Sequence, residues 1–391
     1  MIHRKKILFT LMIVFSLTQA CENRAGTETP DPRIRVRKGF SLSVVENAIK
    51  NPRFLKMSPD GVLYVSLPGS GEIKSCFDKN GDGYYEVVQT FVKGHQTVHG
   101  MAWHDGWLWF TETGAIFKAR DTNGDGTADE VVTVIPDVQL PKGGGHWWRS
   151  ILISGNRLYT SIGCSGNIND DTNTERLKIW SFNLDGSDKK LFCGGLRNTE
   201  KLLLRPGTDE IWGMDHGSDM FGDVMEQKDN GPRQPITDWN PPDEMNHYVQ
   251  DGFYGHPYVT GNKVPRYEFM NRPDIVDLAE KTIPPAWCTG AHMAPCGWIF
   301  YSGNQFTKEM QGDALVAFHG SWNRMDKSGY CVDRILFDEG KPYGELKYVN
   351  FLADDGTVLG RPVDVEIAPD GSLLISDDTN NKIYRLSYAG S

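Results

Sequence analysis

A short turn followed by an apolar strand recurs six times along the chain, and this repeat constrains the fold more than any other feature. A representative copy is Ser58-Pro-Asp-Gly61 followed by Val-Leu-Tyr-Val. The turn glycines are Gly61, Gly106, Gly155, Gly207, Gly312 and Gly371, spaced 45, 49, 52, 105 and 59 residues apart. Periods of about 40–50 residues, each with four strands, are typical of propeller blades. We therefore predict an all-β fold in which residues 34–391 form one six-bladed β-propeller.

One interval of the repeat is too long for a single blade. The 105 residues between Gly207 and Gly312 hold one blade and about one further blade length, and residues 219–290 are rich in Pro, Asn and Asp. Such residues favour loops over regular strands. We expect a long insertion between the fourth and fifth blades.

The N-terminus has the pattern of an export signal. A basic segment, His3-Arg-Lys-Lys6, precedes a mainly apolar segment of 11 residues, Ile7 to Leu17, which is too short for a membrane span of about 20 residues. Leu17-Thr-Gln-Ala-Cys21 resembles a bacterial lipobox, with ordinary signal cleavage as the alternative. We expect a signal peptide over 1–20, lipidation of Cys21, a tether over 21–33, and a lipid-anchored protein of the bacterial cell envelope, in the periplasm or at the cell surface.

The charge of the chain excludes one class of partner. The net charge is −10, and removal of residues 1–20 takes away three basic residues and no acidic one, which leaves −13. A nucleic-acid-binding protein needs a positive surface to displace counterions, so we expect no nucleic-acid partner. Export makes disulfides permissible, and the spacing of Cys288 and Cys296 suits a short loop staple.

Two hairpins carry the first half of a calcium-loop pattern, with oxygen-bearing side chains at alternate positions before a glycine. Position 12, where a calcium loop has a bidentate Glu, holds Gln89 and Val132. The loops are therefore either structural Ca²⁺ sites or Asn-Gly and Asp-Gly turns that need positive φ. The candidate ligands are Asp78, Asn80, Asp82 and Glu86 in one loop and Asp121, Asn123, Asp125 and Asp129 in the other.

Cationic side chains recur at equivalent positions of successive repeats. The chain changes ends of a propeller at every turn, so segments that enter the blades share one end with the loops after the second strands. The entry segments contain Arg53, His99, His146, Arg149, Arg197, Asn198 and Arg361, and the loops contain His216, Gly217, Ser218, His319, Trp322 and Arg324. Polar residues at these positions can simply tie blades together. A ring of this many cations in an acidic chain nevertheless predicts an anionic ligand with several carboxylates.

The motifs that hold these residues resemble those of the soluble quinoprotein sugar dehydrogenases, which use pyrroloquinoline quinone (PQQ). This family includes glucose, L-sorbosone and fungal pyranose dehydrogenases. The resemblance extends over about residues 35–388. The matching motifs are Gly145-His-Trp-Trp-Arg149, Gly195-Leu-Arg-Asn198, Asp215-His-Gly217, Gly252-Phe-Tyr-Gly-His-Pro257, His319-Gly-Ser-Trp-Asn-Arg324 and Gly360-Arg-Pro362.

The resemblance implies a role for each part of the ring. Arg197 and Asn198 would grip PQQ, with Arg53, Arg361, Arg324 and Trp322 nearby. Main-chain carbonyls of Gly217 and Ser218 would bind a Ca²⁺ that polarises the quinone. His146 would be the general base that removes the proton of a sugar hydroxyl while hydride passes to PQQ, a role that suits a neutral imidazole.

The sequence departs from the family pattern in two places. Thr199-Glu-Lys201 stands where relatives commonly have Pro and a small or apolar residue, and the loop Asp215-His-Gly-Ser-Asp219 is more acidic than in glucose dehydrogenases. The similarity is thus to the sorbosone and pyranose branch. No electron-relay domain is recognisable, so we expect a separate acceptor, a cytochrome or a quinone. The alternatives are a non-catalytic carbohydrate- or protein-binding propeller and a calcium-dependent sugar lactonase.

Overall fold

The chain forms six antiparallel sheets arranged as the blades of a propeller. The computed structural model describes residues 28–137, 139–221 and 235–390. The predicted signal peptide and Cys21 lie outside the described residues. Six sheets of four or five strands, with very little helix, confirm the predicted six-bladed, all-β fold. Among the described residues, no helix is both long and apolar enough to cross a membrane.

The first three blades are each built from four consecutive strands, as tight turns between sequential strands favour. Blade 1 comprises β3 (Leu55–Met57), β4 (Leu63–Leu67), β5 (Glu72–Phe77) and β6 (Val87–Lys93). Blade 2 comprises β7 (Met101–His104), β8 (Trp107–Thr111), β9 (Ile116–Arg120) and β10 (Glu130–Ile135). Blade 3 comprises β11 (Leu152–Ser154), β12 (Arg157–Ile162), β13 (Lys178–Asn183) and β14 (Lys190–Gly194).

The fourth blade contains the insertion, which corrects the prediction that it lies between blades 4 and 5. Blade 4 comprises β15 (Thr199–Leu204), β16 (Ile211–Asp215), β17 (Pro242–Tyr248) and β20 (Trp287–Ala291). The inserted residues lie between its second and third strands and again between its third and fourth. They include α1 (Pro235–Trp239), β18 (Val259–Thr260), β19 (Val264–Pro265), a 3₁₀ turn (Tyr267–Phe269) and α2 (Ile275–Lys281). Spacing between turn glycines measures only the total length, so it could not locate the interruption.

The last two blades each take up a strand from the beginning of the chain. Blade 5 comprises β21 (Pro295–Phe300), β22 (Ala314–Phe318), β23 (Cys331–Asp338) and β24 (Lys341–Asn350), with β1 (Arg35–Val36) at its edge. A 3₁₀ turn (Lys308–Met310) lies between β21 and β22. Blade 6 comprises β25 (Pro362–Ile367), β26 (Leu373–Asp377), β27 (Lys382–Tyr388) and β2 (Phe40–Glu46). The pairing of β2 with β27, for example Ser43 with Arg385, closes the ring.

The hydrophobic core lies between neighbouring blades. Trp298, fully buried on β21, packs with Trp212 and Met245 of blade 4 and with Phe318 of blade 5. The inner strands leave polar groups that reach across the channel. The Lys201 Nζ of blade 4 donates to the Asp364 Oδ1 of blade 6 at 2.7 Å, while Asp364 Oδ2 accepts the N–H of Leu55 in blade 1. Three blades thus meet at one buried carboxylate.

Loss of the Asp364 charge should destabilise the propeller. Asp364 is fully buried and Lys201 nearly so, so Asp364→Asn leaves an ammonium group without its counter-ion, at a cost of about 3–5 kcal/mol. The control is Glu366→Gln, which breaks the more exposed Lys56–Glu366 pair at 3.4 Å and should cost at most about 1 kcal/mol. Urea unfolding measures both variants. Equal losses would show that the buried pair has no special role.

Candidate functional site

A cavity of about 260 Å³ lies at one end of the central channel, and its walls come from five blades, all except blade 2. Seven of the predicted site residues line it: Arg53, Arg197, His216, Gly217, His319, Trp322 and Arg361. The structure therefore brings together residues that are separated by more than 300 positions in the sequence. These residues meet because the segments that enter the blades and the loops after the second strands lie at the same end of the propeller.

Each of the three arginines of the cavity is held in position by a hydrogen bond to a neighbouring residue. Arg53 Nη1 donates to Asp378 at 2.8 Å, Arg197 Nε donates to the Asn167 carbonyl at 3.0 Å, and Arg361 Nε donates to the His319 carbonyl at 3.0 Å. Each nevertheless keeps donor capacity. Arg53 Nε is buried without a partner, and Nη1 of Arg197 and of Arg361 has no hydrogen-bond partner within the part of the chain that the structure describes. Three fixed guanidinium groups thus offer unused N–H donors.

Two histidines of the cavity wall are kept neutral. Burial, followed by the charge of Arg197, lowers the pKa of His216 to about 3, and its Nε2 donates to the Pro295 carbonyl at 3.1 Å. Burial also lowers the pKa of His319 to about 4, although its hydrogen bond to Asp378 opposes that shift. The positive charge of the cavity therefore comes from the arginines.

His146 is partly buried beside the cavity and does not line it. A Cβ on Gly163 would lie within 2.8 Å of both the His146 Cβ and the Arg197 carbonyl, so the two entry segments are close. His146 Nδ1 is 2.9 Å from the Cys164 carbonyl, which fixes the proton on Nδ1 and leaves the lone pair on Nε2. Burial and the neighbouring Arg197 lower the pKa of His146 to about 3. The imidazole is thus neutral, with a basic nitrogen free.

Five other predicted residues lie behind the walls. Buried Arg149 donates to backbone carbonyls, including that of Thr113 at 3.0 Å. His99 stacks on Trp148 at 4.6 Å, and Asn198 Nδ2 donates to Glu200 at 3.1 Å. Ser218 accepts a hydrogen bond from Arg266, and Arg324 donates to the Asp326 carbonyl at 2.9 Å. These side chains support the site and do not line the main cavity.

Several residues that line the cavity were not predicted from the sequence. The most informative is Glu200, whose buried Oε2 has no hydrogen bond to any residue that the structure describes and lies 3.7 Å from Arg53 Nη2 and 3.5 Å from His99 Nε2. Ligand atoms of Glu200, His216 and Cys296 lie within 4.8 Å of one another. Burial raises the pKa of Glu200. The departure at Thr199-Glu-Lys201 was the one available signal for Glu200. Trp148, of the motif Gly145-His-Trp-Trp-Arg149, also lines the cavity, and the remaining lining residues that were not predicted are Asp219, Asp243, His292, Ala294, Cys296, Gly320 and Asn323.

Asp243 fixes the loop that contains Gly217. Its carboxyl accepts the Gly217 N–H at 2.8 Å and the Ala294 N–H at 2.9 Å, and burial raises its pKa to about 7. Gly217 needs to be glycine because a Cβ would lie 2.6 Å from the Pro242 carbonyl oxygen. The backbone of this loop is therefore tightly placed at the cavity edge.

Comparison with known proteins assigns the chain to a family. The model of the TrAA12-like family matches residues 34–389. The chain belongs to the TrAA12-like family. An uncharacterised protein from Borreliella burgdorferi is 29% identical over 399 residues, which cover 98% of this chain and 97% of that protein.

Solved structures share the fold of this TrAA12-like protein. The holo form of the pyranose dehydrogenase PQQ domain from Coprinopsis cinerea is 19% identical, with a TM-score of 0.76 over 92% of this chain and 98% of that chain. The calcium structure of the Trichoderma reesei family AA12 protein is 17% identical, with a TM-score of 0.77 over 93% and 99% of the two chains. At these identities the similarity shows the six-bladed fold.

The two calcium-like loops of the TrAA12-like protein differ in detail. Ligand oxygens of Asp78, Asp82 and Glu86 lie within 4.8 Å of one another. In the second loop the Asp129 carboxylate accepts hydrogen bonds from Thr122 and from Asn123 Nδ2, as Glu86 of the first loop accepts the Lys79 N–H at 2.9 Å. Both loops lie away from the cavity: Arg385, for example, joins the Gly83 carbonyl to Asp370 of a repeat turn.

The cysteines do not form the proposed loop staple. All six that the structure describes, including Cys288 and Cys296, are free thiols. Cys288 lies on β20 opposite Glu244, whereas Cys296 lies on β21 of the next blade and lines the cavity. The two cysteines therefore belong to different sheets. A short separation in the sequence does not by itself give their side chains the geometry that a disulfide requires.

Proposed function

We propose that the protein is a PQQ-dependent sugar dehydrogenase that oxidises a hydroxyl of an aldose, a pyranose or a sorbosone-like sugar. The observation that carries the proposal is the presence of three arginines with unused donors, Arg53, Arg197 and Arg361, around one cavity of an acidic chain. Guanidinium groups bind carboxylates in bidentate fashion. Membership of the TrAA12-like family and the fold shared with the Coprinopsis cinerea PQQ domain support the proposal.

The residues of the cavity fit a small polycarboxylate. Three guanidinium groups face two buried carboxyl groups, Glu200 and Asp243, and burial raises the pKa of both acids, which favours their neutral forms. Two carboxylates offset part of this charge: Asp378 lies 2.8 Å from Arg53, and the half-exposed Asp219 lies 3.3 Å from Arg197. Arg361 forms no salt bridge with the residues that the structure describes, and Arg53 Nε has no hydrogen-bond partner among them, so the cavity keeps cationic donors for a carboxylate ligand.

Each part of the site has a role in this proposal. Arg53, Arg197 and Arg361 would hold the carboxylates of PQQ, and backbone carbonyls of the Gly217–Ser218 loop, fixed by Asp243, would bind Ca²⁺. When bound, PQQ supplies a hydride acceptor. Trp322 and Trp148 offer flat apolar faces to a pyranose ring.

His146 would act as the general base. Its Nδ1–H is committed to the Cys164 carbonyl, so Nε2 is the atom that receives the proton of the sugar hydroxyl. Arg197 is the main electrostatic cause of the low pKa of His146. Carboxylates bound at Arg197 would offset that cation and raise the pKa of His146 toward the range in which a base is effective.

Reconstitution of the mature chain tests the proposal. The protein is produced without Cys21, PQQ and Ca²⁺ are added, and reduction of an artificial dye is measured with a panel of sugars. We expect dye reduction that requires both PQQ and a sugar, together with PQQ binding by calorimetry. Absence of both would reject the dehydrogenase in favour of a non-catalytic propeller or a lactonase.

Glu200 should make PQQ binding sensitive to pH. Burial raises the pKa of Glu200, so its carboxyl is neutral below that pKa and gains a negative charge as the pH rises through it. The groups around it are Arg53, His99, His216, Cys296 and Asp364. We expect PQQ affinity to fall about tenfold as the pH rises, because a charge in a buried site repels a polyanion by about 1.4 kcal/mol or more.

The variant Glu200→Gln isolates this effect. Calorimetric titration with PQQ across pH should give a smaller fall in affinity in Glu200→Gln than in the native protein, and Asp243, which also lines the cavity and has its pKa raised to about 7, accounts for the fall that remains. Glu366→Gln, which removes a carboxylate away from the cavity, should keep the native slope. A pH dependence that is unchanged in Glu200→Gln would assign it to another group.

Three further parts of the proposal concern the surroundings of the enzyme. A structural Ca²⁺ would bind at Asp78, Asp82 and Glu86, whose ligand oxygens lie within 4.8 Å of one another. The reduced cofactor would pass its electrons to a separate cytochrome or quinone. Lipidation at Cys21 would anchor the protein in the bacterial cell envelope.

A further inference from the structure

The exposed tryptophans of this protein gather near the mouth of the cavity. All 11 tryptophans lie within the described residues, and those with large exposed fractions are Trp147 (44%), Trp239 (72%) and Trp322 (66%). Trp322 lines the cavity, and Trp147 contacts the lining residue Trp148 with ring centroids 5.7 Å apart. An indole in water has an energetic cost unless something covers it, so this position calls for a ligand.

Trp239 lies outside the cavity but is firmly connected to its wall. His292, a lining residue, has its Nε2 2.7 Å from the Thr237 carbonyl and 2.9 Å from the Asn240 carbonyl. Asp238 Oδ1 accepts the N–H of Met325 at 2.9 Å, which joins α1 to the loop after Trp322. Two hydrogen-bonded connections therefore fix the short segment that carries Trp239.

The indole of Trp239 is also braced. The Arg324 guanidinium carbon lies 5.4 Å from the ring centre, and Arg324 is itself held by the carbonyls of Asp326 and Ala291. A guanidinium over an aromatic face is attractive, so one contact of the ring is satisfied while most of its area stays exposed. This arrangement makes a preorganised flat surface next to the site.

We infer that the substrate is an oligosaccharide, whose terminal ring enters the cavity while the next ring stacks on Trp239. This inference rests on the proposed function. A sugar ring has an apolar C–H face and a polar edge, which matches an exposed indole with a guanidinium, that of Arg324, over its ring. A protein interface would need a broad, continuous patch of about 800 Å². The exposed apolar residues of these segments, Ile236, Trp239, Trp322 and Met325, are interrupted in the sequence by Asp238 and Arg324.

The test compares sugars of increasing length. With the PQQ-loaded enzyme, kcat/KM is measured for glucose, maltose, maltotriose, cellobiose and cellotriose. We expect at least a tenfold rise from monosaccharide to disaccharide in one series. Trp239→Ala should remove that gain while changing the monosaccharide value by less than twofold, and Trp239→Phe should restore part of it. Tyr343→Ala, which removes an exposed ring on β24, should keep the full gain.

Direct binding separates this inference from the proposed function. Calorimetry on the protein without PQQ should show that Trp239→Ala weakens binding of the preferred trisaccharide by at least fivefold. If sugars bind in this way but are never oxidised, the dehydrogenase proposal is wrong, whereas the proposed oligosaccharide-binding surface at Trp239 is supported. If monosaccharides are oxidised but length has no effect, or Trp239→Ala lowers all sugars equally, the oligosaccharide inference is overturned. It is also overturned if Trp239→Ala slows only the reduction of cytochrome c, which would indicate an acceptor-docking surface.

Discussion

Replacement of His146 by alanine should lower kcat for sugar oxidation by about a thousandfold without loss of PQQ binding. General bases contribute about 10²–10⁴ to rate, and His146 is the residue near Arg197 whose tautomer leaves a free Nε2. The side chain lies beside the cavity and does not line it, so the arginines should still hold the cofactor. Dye reduction gives kcat, and calorimetry gives the affinity for PQQ.

Two further variants make the His146 result specific. His146→Gln keeps a polar side chain of similar length but cannot take up a proton near neutral pH, so it should be as inactive as the alanine variant. His104→Ala, at the end of β7 in blade 2 and outside the cavity lining, should keep native kcat. Native turnover in His146→Gln would remove His146 from the role of base.

Replacement of Arg197 by alanine should weaken PQQ binding by about a hundredfold or more. Charge-assisted hydrogen bonds in a buried site contribute about 1.5–3 kcal/mol each, and Arg197 is nearly fully buried with its Nη1 available. Arg197→Lys should recover only part of the affinity because an ammonium group lacks the planar, bidentate geometry. Calorimetric titration with PQQ measures the three proteins.

The loss should be separable from misfolding. Arg120→Ala removes an exposed arginine that pairs with Glu130 and should leave PQQ affinity unchanged, and melting temperatures check that Arg197→Ala is folded. A second readout is the pKa of His146 by NMR, which should rise in Arg197→Ala because the cation that lowers it is gone. Unchanged PQQ affinity in a folded Arg197→Ala would show that the cofactor site lies elsewhere.

The number of blades and the location of the cavity could be predicted because both depend on where a segment lies within the sequence repeat. A repeated turn fixes the ends of a propeller to which each following segment returns, so Arg53, Arg197 and Arg361 could be assigned to one end before their contacts were known. The family motifs added residues on the loops after the second strands, such as His216 and Trp322. The fold and its closure into one ring are confirmed by the sheet order.

Other parts of the site depend on local irregularity that a repeat does not encode. The register of β15 against β16 shifts between Thr199 and Leu202, and such a shift breaks the alternation of side chains. Consecutive residues Glu200 and Lys201 can then both reach other blades, toward Arg53 and Asp364. Trp239 comes from the inserted residues and His292 lies in the link between β20 and β21, and the repeat offers no reference position for either.

The strand that closes the ring also has a consequence for assembly. β2 pairs with β27, so ring closure joins regions at opposite ends of the described chain, and contacts between residues so far apart in the sequence slow folding. Arg53 follows β2 and is hydrogen-bonded to Asp378, while Arg361 precedes β25 of the same closing blade. A ring left open would separate two of the three guanidinium groups. Ligand affinity would therefore report on closure, and by mass action the ligand would in turn hold the ring shut.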